Sequence, residues 1–373
     1  MSSFLSETED ERLLSDVVLP GMLSLIHTIK GVSTHHVWAG THDSLAFYGW
    51  PVSQCQSPDQ PLFAQLMCGI RALDVRLSVV DGVLMAYHGS APQRTSFSAI
   101  LHTFYHFLQD HSRECLVVSL KQEDYATTSP RVFSRLAREE IERSQGGMGL
   151  WWLENRLPRL GEVRGRCIMF SRFGGDGKEW EGGLEGMGIH PTEWPDSKQE
   201  GFEWYLKGTS VRTHDWYNIP SLLSLPEKTS LCIQNLVPPQ CDPPILGITF
   251  LSAAGGALAL PPFCALGFGW PSWGFGVEGI NVRIGRWLLG RLTSGVSDVD
   301  SDKMHWSVTS DQSDTQLLDN SQTQADEISN KAEAIGLEVS ELPVRGWVFM
   351  DYFAEPDGGL VPLLVENNFI LRD

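Results

Sequence analysis

His42 and Asp43 stand side by side in "AGTHDSLAFYGW", residues 39–50, directly after a short apolar run. Burying two ionisable groups together without partners costs several kcal/mol. Such a pair is therefore either a strand end that has reached water or part of a site. Further apolar runs end on Asp74 and Arg76, on His88, and on Lys121, Arg172, Asp215 and Asp351. One charged strand end means little. A succession of them, holding two histidines and three cations, is the residue set for moving protons on an anionic substrate near neutral pH.

The elements that must position these residues are short β-rich runs: "HVWAGT", "IRALDVRLSVV", "VLMAYHG", "CLVVSLK", "RCIMFSR", "TSVRTHD", "GITFLS" and "WVFMDYF". Between them lie stretches such as "SFSAILHTFYHFLQDHSR" and "SPRVFSRLAREEIERS", whose apolar residues recur at helical spacing. Near-continuous apolar strands alternating with helices predict a parallel sheet covered on both faces. About eight such runs predict an irregular α/β barrel of the (β/α)8 TIM type, whose site sits at the carboxyl ends of the strands. Residues 1–29 read as an N-terminal extension and residues 30–373 as one barrel domain with loop insertions. Residues 253–279, rich in Gly, Pro and aromatics, read as a long mobile loop. Residues 294–325 read as an acidic, poorly ordered insertion.

Composition limits the partners. The 373 residues are 42% hydrophobic and include 13 Trp, ample for a large core. The formal charge of −18 speaks against nonspecific nucleic-acid binding. Half of that charge lies in residues 297–341, where eleven Asp/Glu face only Lys303 and Lys331, so the rest of the surface is mildly acidic. Seven scattered cysteines form no CxxC pair. Those in apolar runs, Cys115 and Cys167, read as buried reduced thiols. The N-terminus lacks a signal-peptide pattern, and no apolar run reaches the length of a membrane span. A cytoplasmic, monomeric protein is the expectation, with export by another route left open.

"GTHDS", "GIRALDVRL", "DGVLMAYHG", "ECLVVSLKQE", "CIMFSRF", "VRTHDWY" and "RGWVFMDYF" occur in the order and spacing of the phosphatidylinositol-specific phospholipase C family. The chain resembles its X-type catalytic domain over about residues 30–370, and most nearly the metal-independent bacterial branch. The resemblance implies attack of the inositol 2-hydroxyl on phosphorus, releasing diacylglycerol and a cyclic inositol phosphate. It implies His42 as general base backed by Asp351, and His88 as general acid served by Asp43 and Asp74. It further implies Lys121, Arg172 and Asp215 as partners of the inositol hydroxyls, with Tyr217 stacked on the ring. Where the calcium-dependent branch has a carboxylate, this chain has Arg76, whose planar donor fork suits phosphate oxygens. Metal independence, with no cofactor, is therefore expected.

A lipid substrate implies a peripheral encounter with a membrane, for which Trp50, Trp270 and Trp273 are the candidates. Packing of these rings on the barrel rim is the alternative. Two rival functions stand beside the main reading: a metal-dependent glycerophosphodiesterase or sphingomyelinase-D-like enzyme, and an inactive phosphoinositide-binding relative. Whether the head group is plain, phosphorylated or glycosylated inositol stays open at this level. His214, next to Asp215, is left unassigned, as is Trp216.

Overall fold

The computed structural model describes residues 1–22, 61–89, 91–173, 187–191, 193–239, 241, 243–255, 259–269, 273, 275–294, 343–355 and 359–370. The strands are β1 (Val18–Met22), β2 (Ala72–Val80), β3 (Val83–His88), β4 (Ala91–Ser96), β5 (Leu116–Gln122), β6 (Trp151–Trp152) and β7 (Cys167–Arg172). They continue with β8 (Phe202–Leu206), β9 (Thr209–His214), β10 (Ile245–Phe250), β11 (Gly267–Phe268), β12 (Val277–Glu278) and β13 (Gly346–Met350). The main sheet runs β6-β7-β5-β2-β1-β13-β10-β9-β8, with the hairpin β3–β4 attached to β2. From β6 to β9 every neighbouring pair is parallel. The sheet curls as the expected TIM-type barrel does, but it is irregular: among the described residues no ladder closes β6 or β7 onto β8.

Strand composition explains the curl. β1 and β13 are buried along their whole length, because one face meets the barrel interior and the other the surrounding helices. Gly21 is required where β1 passes its neighbours, since a Cβ there would lie 2.8 Å from Ala72 Cβ and 2.9 Å from Val348 O. The outer helices carry their own start signals. Ser96 caps helix Phe97–Asp110 by accepting from the Ala99 amide, and Ser129 caps Pro130–Arg143 from Val132.

Three expectations change. The first parallel strand is Val18–Met22, so the sheet already includes residues assigned to an extension ending at 29; the run "HVWAGT" lies outside the described residues. β3 pairs antiparallel with β2 instead of joining the parallel series, because the Asp81–Gly82 turn, both at positive φ, leaves room only for a hairpin. Residues 253–279 are more than a loop. They hold helix Pro261–Leu266 and the β11–β12 ribbon. The insertion at 294–325 lies, but for its first residue, outside the described residues. Among the described residues no helix is long and apolar enough to cross a membrane.

An aromatic floor fills the barrel interior. Phe250 stacks on Phe349 with centroids 4.7 Å apart, and Phe170 meets Trp204 at 6.1 Å and Trp347 at 5.8 Å. Trp347 is among the largest side chains buried without any exposure. Trp347→Ala is expected to cost about 3–5 kcal/mol. Urea denaturation should show a lower midpoint with an unchanged slope.

Candidate active site

Side chains on one face of a strand recur every second residue, and paired residues on neighbouring strands share that face. The register of β2, β5 and β7 therefore builds the site in rows. Asp74 pairs with Ser119, and Ser119 with Phe170. Two residues on, Arg76 pairs with Lys121, and Lys121 with Arg172. Three cations thus stand in one row at the carboxyl ends of adjacent strands, one step above a buried carboxylate.

Asp74 ties the two rows together. One carboxylate oxygen accepts from Arg76 Nε at 2.7 Å; the other accepts from Ser119 Oγ at 2.7 Å and Arg172 at 3.0 Å. Burial opposes its charge, but Arg76 and Arg172 outweigh burial and hold its carboxyl down at about 2. Glu123 serves the other end of the row, 3.3 Å from Arg76 and 3.4 Å from Lys121. Burial and the neighbouring Arg76 push the Lys121 ammonium down from its ordinary value. Arg172 also lies with its guanidinium carbon 4.0 Å from the centre of the Trp194 ring.

His88 reaches this row through the hairpin. β2 overshoots the rim, and β3 folds back with Leu77 opposite Ala86. Beyond that ladder His88 lines the same cavity as Arg76 and Lys121. Burial, then Arg76, push its imidazole down to about 3, with Asp74 pulling the other way and Lys121 adding a smaller push.

The row lines one side of a cavity of about 590 Å³, which Tyr125, Ser252 and Asp351 also border. Glu193, Trp194, Asp196, Asp215 and Tyr217 also line it. Asp215 accepts from Trp194 Nε1 at 2.9 Å, and Tyr217 donates to Asp196 at 2.5 Å. Burial raises the Asp215 carboxyl above its ordinary value. The same cause lifts Asp351 to about 7, and its Oδ1 is buried with no hydrogen-bond partner among the described residues. A buried acceptor in that state is prepared for a donor.

The structure therefore brings together Asp74, Arg76, His88, Lys121, Arg172, Asp215, Tyr217 and Asp351. His42, Asp43, Trp50 and Trp270 lie outside the described residues. Trp273 is 58% exposed, its ring edge-on to Phe268 and beside Phe275, which is 69% exposed. His214 turns away from the cavity: Nε2 lies 3.2 Å from Gln199 O and Nδ1 3.4 Å from Cys232 Sγ. Trp216 is buried core. Cys115 and Cys167 are fully buried thiols, both pushed up by desolvation.

Sequence reasoning missed Glu123, Trp194 and Asp196. Glu123 was within reach, because it stands two residues beyond Lys121 and so shares its face. Trp194 and Asp196 come from an irregular segment with no period to reveal them.

No family model matches the chain. It is 26% identical over 156 residues to the 1-phosphatidylinositol phosphodiesterase of Listeria monocytogenes, covering 35% of this chain and 42% of the relative. It is 26% identical over 165 residues to the enzyme of the same name from Staphylococcus aureus (strain Newman), covering 42% and 52%. The chain thus matches about half the length of these curated relatives. Its fold is similar to that of a Staphylococcus aureus phosphatidylinositol-specific phospholipase C over 98% of this chain and 97% of the other, with TM-score 0.61 and 16% identity. The Listeria monocytogenes phosphatidylinositol-specific phospholipase C aligns over 98% of each chain with TM-score 0.54 and 15% identity.

An anion seated on the row would reverse the field at His88. In the free protein its imidazole should stay neutral down to about pH 3, and phosphate should raise its midpoint by about 2 units. Proton NMR titration of the ring, with and without inorganic phosphate, reads both values. A midpoint near the ordinary histidine value in the free protein would contradict the field described here.

Proposed function

We propose that this relative of the bacterial phosphatidylinositol-specific phospholipases C cleaves the glycerol–phosphate bond of phosphatidylinositol, giving diacylglycerol and inositol 1,2-cyclic phosphate. The observation that carries the reading is the row Arg76–Lys121–Arg172, which with His88 lines a cavity also bordered by carboxylates and aromatic rings. A cavity holding both cations and acceptors suits a molecule that is a phosphate at one end and a neutral polyol at the other. Glu193, Asp196 and Asp215 offer acceptors to ring hydroxyls and would repel further phosphates, so plain inositol is the favoured head group.

The reaction needs a base for the 2-hydroxyl and an acid for the departing glycerol oxygen. In this reading His42 takes the hydroxyl proton, backed by Asp351. As the 2-oxygen bonds to phosphorus and the glycerol P–O bond breaks, His88 donates its proton to the leaving oxygen. The phosphodiester charge is what permits His88 to hold that proton beforehand. Arg76 meets the charge that builds on the non-bridging oxygens, in a site where fixed donors need no reorganisation.

No metal is required in this proposal. Asp74 is bonded to Arg76 and Arg172, and Glu123 to Arg76 and Lys121. A divalent cation would have to displace these partners and sit among three positive charges, which its need for several oxygen ligands makes unfavourable.

Contact with a lipid surface is proposed through Trp273 and Phe275, whose exposed rings suit the bilayer interface. Trp273→Ala with Phe275→Ala should weaken binding to phosphatidylinositol vesicles about tenfold while sparing turnover of a soluble substrate. Equal losses on both would refute the interfacial role.

Phosphorus NMR with short-chain phosphatidylinositol, run in EDTA and again with calcium, tests the reaction itself. A cyclic inositol phosphate signal of equal rate in both buffers is expected, with His88→Ala slower by about 10²–10⁴-fold. Signal only with calcium would overturn the role of Arg76. No turnover in either would transfer the weight to lipid binding.

A further inference from the structure

Lys228 lies in helix Leu225–Leu236, fully buried, and does not line the cavity. Among the described residues it has no salt bridge. Its ammonium donates to two backbone carbonyls, Trp216 O at 2.7 Å and Phe250 O at 3.0 Å. A buried ammonium without an ion pair costs several kcal/mol, and a methionine would fill the same volume without that cost. The location of the two carbonyls accounts for the lysine. Trp216 directly follows Asp215. Phe250 precedes Ser252 by two residues and pairs with Phe349, which precedes Asp351 by two. The Leu251 amide, donating to Phe349 O at 2.8 Å, continues the link. One ammonium thus grips the carboxyl ends of β9 and β10 and, through β10, reaches β13.

We infer that Lys228 is a positioning residue: from behind the site it holds the carboxyl ends of β9 and β10 beside Asp215 and, through the pairing of β10 with β13, Asp351, and its charge favours the ionised form of both carboxylates. The inference rests on the function proposed above for what that ionisation does, but the electrostatics stand apart from it.

The groups facing Asp351 come from several elements. Arg76 reaches it from β2, Lys228 from the helix behind, Ser252 from the end of β10, and the Cys264 thiol from helix Pro261–Leu266. Lys228 in turn faces Asp215, Asp351, His214, Cys232 and Cys264. Burial pushes the thiols of Cys232 and Cys264 up to about 11 and 12, and pushes His214 down to about 3, so all three stay neutral around pH 7. Arg76 and Lys228 are then the cations acting on Asp351 among the described residues. Burial lifts Asp351 to about 7 even with both present. Loss of the Lys228 charge favours the protonated carboxyl further, so its midpoint moves up and fewer molecules carry the anion at neutral pH.

The experiment is a carbon-13 carboxyl NMR titration of Asp351 in the unsubstituted protein, in Lys228→Met and in Lys228→Gln. Both variants should raise the Asp351 midpoint by about one pH unit, although Gln keeps a donor for the carbonyls. The acid limb of kcat on short-chain phosphatidylinositol should move by the same amount. An unchanged midpoint in a folded Lys228→Gln protein would overturn the inference. Nitrogen-15 NMR of the unsubstituted chain guards against variants that fail to fold: an ammonium at pH 7 is expected, and a neutral amine would overturn the inference as well. If the unsubstituted protein turns over no lipid but the Asp351 midpoint still moves, the functional reading fails and the role of Lys228 survives.

Discussion

The site depends on one buried anion. Three cations in register on adjacent strands, if their heads kept the strand spacing of about 5 Å, would repel by about 3 kcal/mol per neighbouring pair at an effective dielectric constant of 20. Asp74 removes that obstacle. It sits one step below the row on the same face, bonded to Arg76 and Arg172 at once, and Glu123 does the same for the Arg76–Lys121 end. Because these are charge-assisted hydrogen bonds with fixed direction, they also aim the guanidinium groups. The row remains net positive toward the cavity, which is the condition for receiving a phosphodiester.

Two other carboxylates of the cavity show the opposite balance. Asp215 and Asp351 are buried carboxylates whose charge is resisted by their surroundings. Asp215 accepts only one hydrogen bond from a described side chain, that of Trp194. Such groups lower the stability of the fold as pH rises from the ordinary carboxylate range through their own raised midpoints. Asp74 acts in the other direction: its stabilisation is complete above the ordinary carboxylate range and is lost as pH falls toward 2. One half of the cavity is thus held together by its charges, and the other half holds charge at a cost to stability. The costly half is where acceptors must stay available for a substrate.

The parallel strands β2, β5, β7, β9 and β13 were legible as apolar runs with charged residues at their ends, a recurrence that one solvated strand end would not explain, and β10 as an apolar run alone. Reading Asp74, Arg76, Lys121, Arg172, Asp215 and Asp351 as facing one site followed from that alone. Other features depended on information that residue order does not carry. Val18–Met22 contains Pro20 and Gly21, which weaken its strand signal, yet close passage between Ala72 and Val348 makes glycine necessary. The antiparallel turn at β3 is written in Asp81–Gly82, but a run of strand-like segments hid it. Trp194 and Asp196 sit where the barrel departs from its repeat between β7 and β8, so neither period nor register pointed to them.

That departure also explains how one cavity carries two polarities. In a closed, regular barrel, each strand end would face the same crowded axis, and cations and carboxylates would neutralise one another. Here the hydrogen-bonded path stops at β6 and β8, and the segment bearing Glu193, Trp194 and Asp196 borders the cavity where a further parallel strand would stand. Arg172, at the last parallel strand before the gap, lies over Trp194 instead of pairing with Asp196. The indole also donates to Asp215, so a single ring contacts both the cationic row and a carboxylate of the acidic set. A substrate that is anionic at one end and a polyol at the other would meet cations and acceptors in the same cavity, with that ring fixed between one of each.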